Sequence, residues 1–188
     1  MNNKLASVFT GAAFMLTLFS SGAALAYAPH TNISARPVVH TAALTPFAMQ
    51  VFCAKSPRQC AGGGTASQVT ATNDLLAVLS KVNRSVNAAI KPRNDRGDSW
   101  QVNASSGDCE DYVLTKRAQL IRKGVPAGSL RIATTKTRWG ESHAVLVVKT
   151  SAGDYVLDNL SDKVKTLRAS GYRIRSMSSS DPNRWVAG

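Results

Sequence analysis

Acidic side chains are scarce in this chain: 11 Asp and Glu stand against 23 Lys and Arg, a formal net charge of +12 over 188 residues. That imbalance points to polyanionic partners, whether anionic lipid headgroups, cell-wall polymers or an acidic substrate chain. It does not make a nucleic-acid-binding protein, because the basic residues are scattered and no run of them adjoins aromatics. Most of them read as solubilising surface. Long apolar runs are lacking beyond the N-terminal segment, which excludes a stable membrane span in the rest of the chain. Cysteines number three and histidines three, and no His/Cys cluster has the spacing of a zinc site. No internal repeat is visible.

What is present begins with a targeting segment. Lys4 is the only charge before an apolar core from Phe9 to Leu18, and small residues then lead to Ala24-Leu25-Ala26. This is the pattern of a secretory signal over residues 1–26, with cleavage expected after Ala26 and delivery to the periplasm or beyond. Residues 27–50 hold Pro29, Pro37 and Pro46 without a sustained period, and read as an extended arm that becomes ordered near Phe47. His30 and His40 have no acidic or thiol neighbour in that arm and read as loop histidines. Residues 51–188 are long enough for one domain with a core of its own.

Export places the cysteines in an oxidising compartment. Cys53 and Cys60 lie close together with Pro57 bending the loop between them, so they can form a small disulfide ring. Cys109 is then left over, and an unpaired cysteine in an exported protein is an intermolecular link or a reactive thiol. Its setting among Gly107, Asp108, Glu110 and Asp111 is too polar for an inert core cysteine.

The periodicity predicts two helices followed by three strands. Leu75, Leu79, Val82, Val86 and Ile90 give one apolar face to a helix capped by Thr72 or Asn73 and stopped at Lys91-Pro92. Asn83 and Asn87 sit a turn apart on a neighbouring face, where they can hold a loop or face water. Residues 93–107 are turn formers, with Trp100 as a loop anchor. The second helix starts at Cys109 and ends before Gly124 and Pro126. Val113, Leu114, Ala118 and Ile121 are expected on its inner side, with Lys116, Arg117, Arg122 and Lys123 in water. A half-buried strand follows at Leu130-Arg131-Ile132-Ala133-Thr134-Thr135. A central, continuously apolar strand runs over 144–150. Tyr155-Val156-Leu157-Asp158 returns as its hairpin partner after the turn at 151–154. Beyond Asn159 the chain is polar, with Tyr172, Ile174 and Met177 alternating loosely and Trp185 packing over the core.

Three side chains then answer one another. Cys109 opens a helix, whose N-terminus favours a thiolate, and an imidazolium beside it would favour it further. His143 precedes the central strand, and Asp158 ends the returning one, so a hairpin brings them to the same end of the sheet. A carboxylate on one imidazole nitrogen fixes the tautomer while the other nitrogen exchanges a proton with the nucleophile. Asn159 would point to the opposite face, which makes Asp158 the orienter. This pattern predicts a thiol enzyme of the acyl-transfer type. The competing readings are amide acyl transfer to an amine through the same triad and a non-catalytic basic module for anionic envelope polymers.

Gly107-Asp108-Cys109-Glu110-Asp111-Tyr112, Leu130-Arg131-Ile132, His143-Ala144-Val145-Leu146 and Val156-Leu157-Asp158-Asn159-Leu160 together resemble the bacterial transglutaminase-like cysteine proteinases. The Phe52-Cys53…Pro57…Cys60 loop, Val82-Asn83…Val86-Asn87 and Asp98-Ser99-Trp100 resemble them too. The likeness runs from about Phe52 to near the C-terminus. It implies an α+β, papain-like or transglutaminase-like core, with the catalytic helix packed on an antiparallel sheet. It further implies a Cys109–His143–Asp158 triad and a periplasmic endopeptidase acting on a protein substrate, such as a cell-surface or envelope protein. Well-known members release adhesins and depend on calcium. The chain departs from the adhesin-releasing members in its short 100–107 connection, which lacks a Thr-Pro-containing segment. The acids Asp108, Glu110 and Asp111 would by themselves serve to cap the helix and complement its dipole. The resemblance makes them candidate calcium ligands, and carboxylate oxygens suit that ion.

Overall fold

In the computed structural model, the described residues are 41–61, 66–94 and 97–188. The signal segment over 1–26, its cleavage site after Ala26, His30 and His40 therefore lie outside them. Strand β1 (Ala42–Ala43) is followed by helix α1 (Phe47–Lys55), helix α2 (Asn73–Ala89) and two short strands, β2 (Lys91–Pro92) and β3 (Ser106–Gly107). Helix α3 (Cys109–Arg122) leads to β4 (Leu130–Lys136), β5 (Ser142–Val148), β6 (Tyr155–Asp158) and β7 (Ser161–Thr166). A short helix α4 (Leu167–Ser170) and strands β8 (Ser176–Ser178) and β9 (Trp185–Ala187) complete the chain. Residues 42–50, expected as extended arm, thus hold a strand and the first turn of the first helix. Ala42 and Ala43 pair with Val186 and Trp185, which draws this segment into the sheet.

The main sheet has seven strands in the order β1-β9-β8-β4-β5-β6-β7. Each neighbouring pair is antiparallel. From Ala144 to Val148 β5 is apolar because both of its faces are covered there, as the run of Val and Leu demands. Ala144, Leu146 and Val148 join Leu130, Ile132 and Leu157 beneath residues of α1, α2 and α3. Val145 and Val147, with Ala133 and Val156, face the other way and are covered by Leu167, Tyr172, Ile174 and Met177. The architecture is α+β: helices pack on one face of an antiparallel sheet, and the C-terminal segment covers part of the other.

Local signals set the helix ends. The Thr72 hydroxyl accepts the Leu75 N–H at 3.1 Å, as an N-cap should. Gly124 takes φ +85° just beyond α3, a backbone conformation that side chains with a Cβ rarely adopt. Cys53 and Cys60 are joined in a disulfide with a Cα–Cα separation of 5.4 Å. Their loop is fastened to α3 by the Arg117 guanidinium, which donates to the Gln59 carbonyl at 2.7 Å.

Three features depart from the periodicity. Lys116 and Arg117, expected in water, are buried, because α3 is enclosed by α2, the disulfide loop and the sheet. The helix is inward-facing on almost every side, so its charges could not mark an outer face. Arg131, on a strand expected to be half-buried, is also buried, and its guanidinium reaches the Ser67 carbonyl at 3.3 Å. β7 lies in a stretch read as polar and irregular. It is the edge strand, with Lys163 and Lys165 exposed, a composition that protects a sheet edge but hides a strand from apolar periodicity.

The two asparagines of α2 hold the turn between β6 and β7. Asn83 Nδ2 donates to the Ser161 carbonyl at 2.7 Å, and Asn87 Nδ2 donates to the Asp158 carbonyl at 3.0 Å. Asn83 is fully buried and Asn87 half-buried. Asn83→Ala removes the closer of the two amide donors to the Ser161 carbonyl, Asn87 Nδ2 lying 3.4 Å from it, and empties a fully buried position, which is expected to cost about 1–3 kcal/mol. Asn87→Ala should cost less, since water can reach its place. Urea unfolding of both variants, read by tryptophan fluorescence, checks the order.

Candidate active site

The start of α3 is built by the loop before it. β2 and β3 run parallel, pairing Lys91 with Ser106 and Pro92 with Gly107, and this delivers the chain to Asp108. A Cβ on Gly107 would run into the Asp111 carboxylate. Asp111 Oδ1 accepts the Gln101 N–H at 2.8 Å, and one turn later Thr115 Oγ1 accepts the Asn103 N–H at 2.8 Å. The helix therefore pins the 97–105 loop with its own side chains. Trp100 is half-buried against the main core, and its indole N–H donates to Asp98 Oδ1 at 2.8 Å.

Cys109 is half-buried on the first turn. Its sulfur accepts the Ala144 N–H at 3.3 Å, which brings the helix start to the end of β5 beside His143. The thiol donates to Glu110 Oε2 at 3.1 Å. No hydrogen bond joins Cys109 to His143 among the described residues.

His143 and Asp158 are both buried and lie 2.9 Å apart, Nε2 to Oδ1. The β5–β6 register pairs Leu146 with Leu157, so Asp158 falls beside Val145, two residues along from His143 and on the same face. Asp158 is held from several directions at once. Oδ1 also accepts the Leu160 N–H at 3.0 Å, and Oδ2 accepts the Tyr172 hydroxyl at 2.6 Å. Burial alone would raise its pKa, but the hydrogen bonds from His143, Tyr172 and Leu160 outweigh burial and hold it below the usual value. An ionised carboxylate only accepts, so His143 Nε2 carries the proton of this hydrogen bond and Nδ1 is left outside it. The Tyr172 ring lies 5.8 Å from the imidazole, tilted by 47°.

The electrostatics at Cys109 run against the expected activation. Burial, then the Glu110 carboxylate, push the thiol above its ordinary range, and the Ala144 N–H offsets only part of this. The helix N-terminus does not make a thiolate here, because burial opposes the charged form and two acids share that same turn. Glu110 is itself pushed up to about 8, first by burial and further by Asp108, which hydrogen-bonds to it. Asp108 and Glu110 thus form a hydrogen-bonded carboxyl pair that shares a proton near neutral pH, and their oxygens are of the type that would hold a hard cation such as calcium in that proton's place. Asp111 does not join them, since its carboxylate is turned to Gln101 and Gly107. No group of three or more His, Cys, Asp or Glu side chains is arranged around a metal position among the described residues.

Two residues of the site have no counterpart in the sequence reading. Tyr172 reads only as part of a loose alternation with Ile174 and Met177, and its contact with Asp158 exists only because the C-terminal chain folds back over the sheet. Lys116 is fully buried, at 0% exposure. Its ammonium lies 5.7 Å from the Tyr112 ring and has no hydrogen-bond partner among the described residues. Burial lowers its pKa to about 7, while the charges of Asp158 and Asp162 work the other way. A signal for it did exist: Lys116 falls in phase with Val113 and Leu120, the inward stripe of α3.

A helix-borne thiol set against a strand-borne His–Asp pair, on an antiparallel sheet, defines the papain-like and transglutaminase-like class of thiol enzymes. The family model for the bacterial transglutaminase-like cysteine proteinases (BTLCP) matches residues 39–187, most of the chain, and the chain belongs to that family. It is a cysteine peptidase of the transglutaminase-like type. Among solved structures it is similar to calcium-bound Legionella pneumophila LapG, at 24% identity and TM-score 0.55, over 60% of this chain and 69% of that one. EGTA-treated LapG from the same organism matches at 25% identity and TM-score 0.53, over 59% and 66% of the two chains. No curated protein sequence matches significantly. Among the described residues, no helix is long and apolar enough to cross a membrane.

Lys116 makes stability depend on pH in a defined direction. Between its folded value near 7 and its ordinary value of 10.5 the unfolded chain binds the extra proton, so stability rises with pH across that window. The contribution is fully present above the unfolded value and is lost as pH falls toward the folded one. Lys116→Met keeps the volume and removes the titration. It is expected to be more stable than the unmodified chain below about pH 7, with the gap closing toward about pH 10. Urea midpoints measured at both ends of the window check this.

Proposed function

We propose that this protein is a periplasmic endopeptidase that hydrolyses a peptide bond of a protein substrate, with Cys109 as nucleophile, His143 as base and acid, and Asp158 as orienting carboxylate. The observation that carries this reading is the fixed His143–Asp158 pair on the strand whose next amide, Ala144 N–H, meets the Cys109 sulfur. With Nε2 committed to Asp158, Nδ1 is the nitrogen left to take the thiol proton. The thiolate then attacks the scissile carbonyl, and the Cys109 backbone N–H is the nearest candidate donor to the developing oxyanion. The imidazolium passes its proton to the leaving amine, and the resulting thioester is hydrolysed by a water that His143 deprotonates. An amine in place of that water would give acyl transfer. Product analysis separates the two outcomes, as new termini or as cross-links.

Before attack the thiol has to leave Glu110, to which it donates here. Asp108 and Glu110 are the residues that would hold calcium, the ion bound in one LapG structure. Bound calcium would compensate both carboxylates and weaken their hold on the thiol. Delivery to the periplasm is the reading of the 1–26 segment as a cleaved signal, and a disulfide between Cys53 and Cys60 suits that oxidising compartment.

Iodoacetamide labelling of Cys109, read by peptide mass spectrometry across pH, tests the nucleophile and the ion together. Labelling is expected to be slow at neutral pH in EGTA and at least about tenfold faster with calcium. Glu110→Gln should remove most of that difference. Labelling that rises only at an ordinary thiol pKa, with or without calcium, would overturn the reading.

Tyr172→Phe tests the orienter. It deletes one hydrogen bond to a charged group, which is expected to lower kcat/KM by roughly tenfold. That same bond holds the Asp158 pKa down, so the acid limb of the pH–rate profile should move to higher pH. An unchanged profile would detach Asp158 from the reaction.

A further inference from the structure

The Asp158–Tyr172 side of the site opens on a cleft of about 840 Å³. Its cationic walls come from three separated segments: the end of β4 with the turn that follows it, strand β7, and the stretch between α4 and β8. Each contributes two cations, Lys136 and Arg138, Lys163 and Lys165, Arg173 and Arg175. All six are exposed, and none forms an ion pair among the described residues. Asp158 supplies the one carboxylate in the lining, and it is already engaged by His143, Tyr172 and Leu160.

Basic residues that look scattered along the chain therefore converge on one concavity that reaches Asp158, although neither Cys109 nor His143 lines it. Alternation along β7 puts Lys163 and Lys165 on the same face. Six like charges around a cleft repel one another, and the field they make is focused rather than spread. The same rim carries two exposed apolar side chains, Trp139 at 67% and Leu160 at 56%. Arg138 stacks on the Trp139 ring at 4.2 Å, which holds guanidinium and indole together as one contact surface. A ligand that matches this surface carries several carboxylates interspersed with apolar groups, as a polypeptide does.

We propose that this cleft binds an acidic segment of the substrate polypeptide adjoining the scissile bond, and so selects which proteins are cut. The proposal rests on the endopeptidase reading above, and its test separates the two. A dansyl-labelled peptide of alternating aspartate and alanine, and its asparagine–alanine counterpart, are titrated against the Cys109→Ala protein by fluorescence anisotropy. The aspartate peptide is expected to bind at least about tenfold tighter, with the preference lost at high salt as screening shortens the reach of the charges. Lys163→Glu/Lys165→Glu and, separately, Arg173→Glu/Arg175→Glu should abolish the preference. Lys81→Glu/Lys123→Glu, which changes net charge equally away from the cleft, should keep it.

Equal binding of the two peptides, or a preference that survives both cleft reversals, overturns the proposal. Phosphatidylglycerol vesicles or heparin bound more tightly than the aspartate peptide, and released by the same reversals, also overturn it in favour of an envelope polyanion. Cys109 alkylation in the cleft variants with Cys109 retained reports the catalytic reading independently. Activated labelling with no peptide preference sinks the cleft alone, whereas a clear preference with an unactivated thiol sinks the endopeptidase alone.

Discussion

Asp158 is an ionised carboxylate held inside the protein, and much of the surrounding structure follows from the cost of keeping it there. A buried charge is stable only when its lone pairs are occupied by donors. Here the imidazole of His143, the hydroxyl of Tyr172 and the Leu160 amide occupy them, while Asn87 fixes the main-chain carbonyl. Each donor comes from a different part of the chain. The β5–β6 hairpin, α2 and the C-terminal segment are thereby tied to one carboxylate, and the orientation of His143 is settled by the same contacts.

The other half of the site has the opposite character. Around Cys109 the charges are not balanced: Glu110 and Asp108 crowd a half-buried thiol and keep its proton on. A helix N-terminus is usually an activating environment for cysteine, yet burial and one adjacent carboxylate outweigh it. A His–Asp pair held by several hydrogen bonds thus stands beside a thiol whose proton is kept on by burial and by the neighbouring acids.

Burial also reassigns charges that look alike in the sequence. Lys116, Arg117 and Arg131 are enclosed, whereas Lys163, Lys165, Arg173 and Arg175 remain in water on the far side of Asp158. The first group bears on the fold, through Arg117 on the disulfide loop and Lys116 beneath the Asp158 turn. The second gives the open cleft its sign.

Interactions that span a few residues were legible from the chain alone. Thr72 as a cap, Lys91-Pro92 as a stop, Gly124 after α3, Cys109 on a first turn and the hairpin that brings Asp158 toward His143 all depend on local geometry or on period-two alternation. Hence the helices, their ends and the β5–β6 hairpin could be read before any coordinates, while the α+β class came from the likeness of several motifs to a known family. Tertiary structure decided the rest. Which side of α3 meets solvent, whether Tyr172 reaches Asp158, how the strongly polar β7 closes the sheet, and where six cations meet each depend on segments distant in sequence. Burial and electrostatic potential at a point are sums over everything that surrounds it. A one-dimensional pattern records those surroundings only where they happen to be neighbours along the chain.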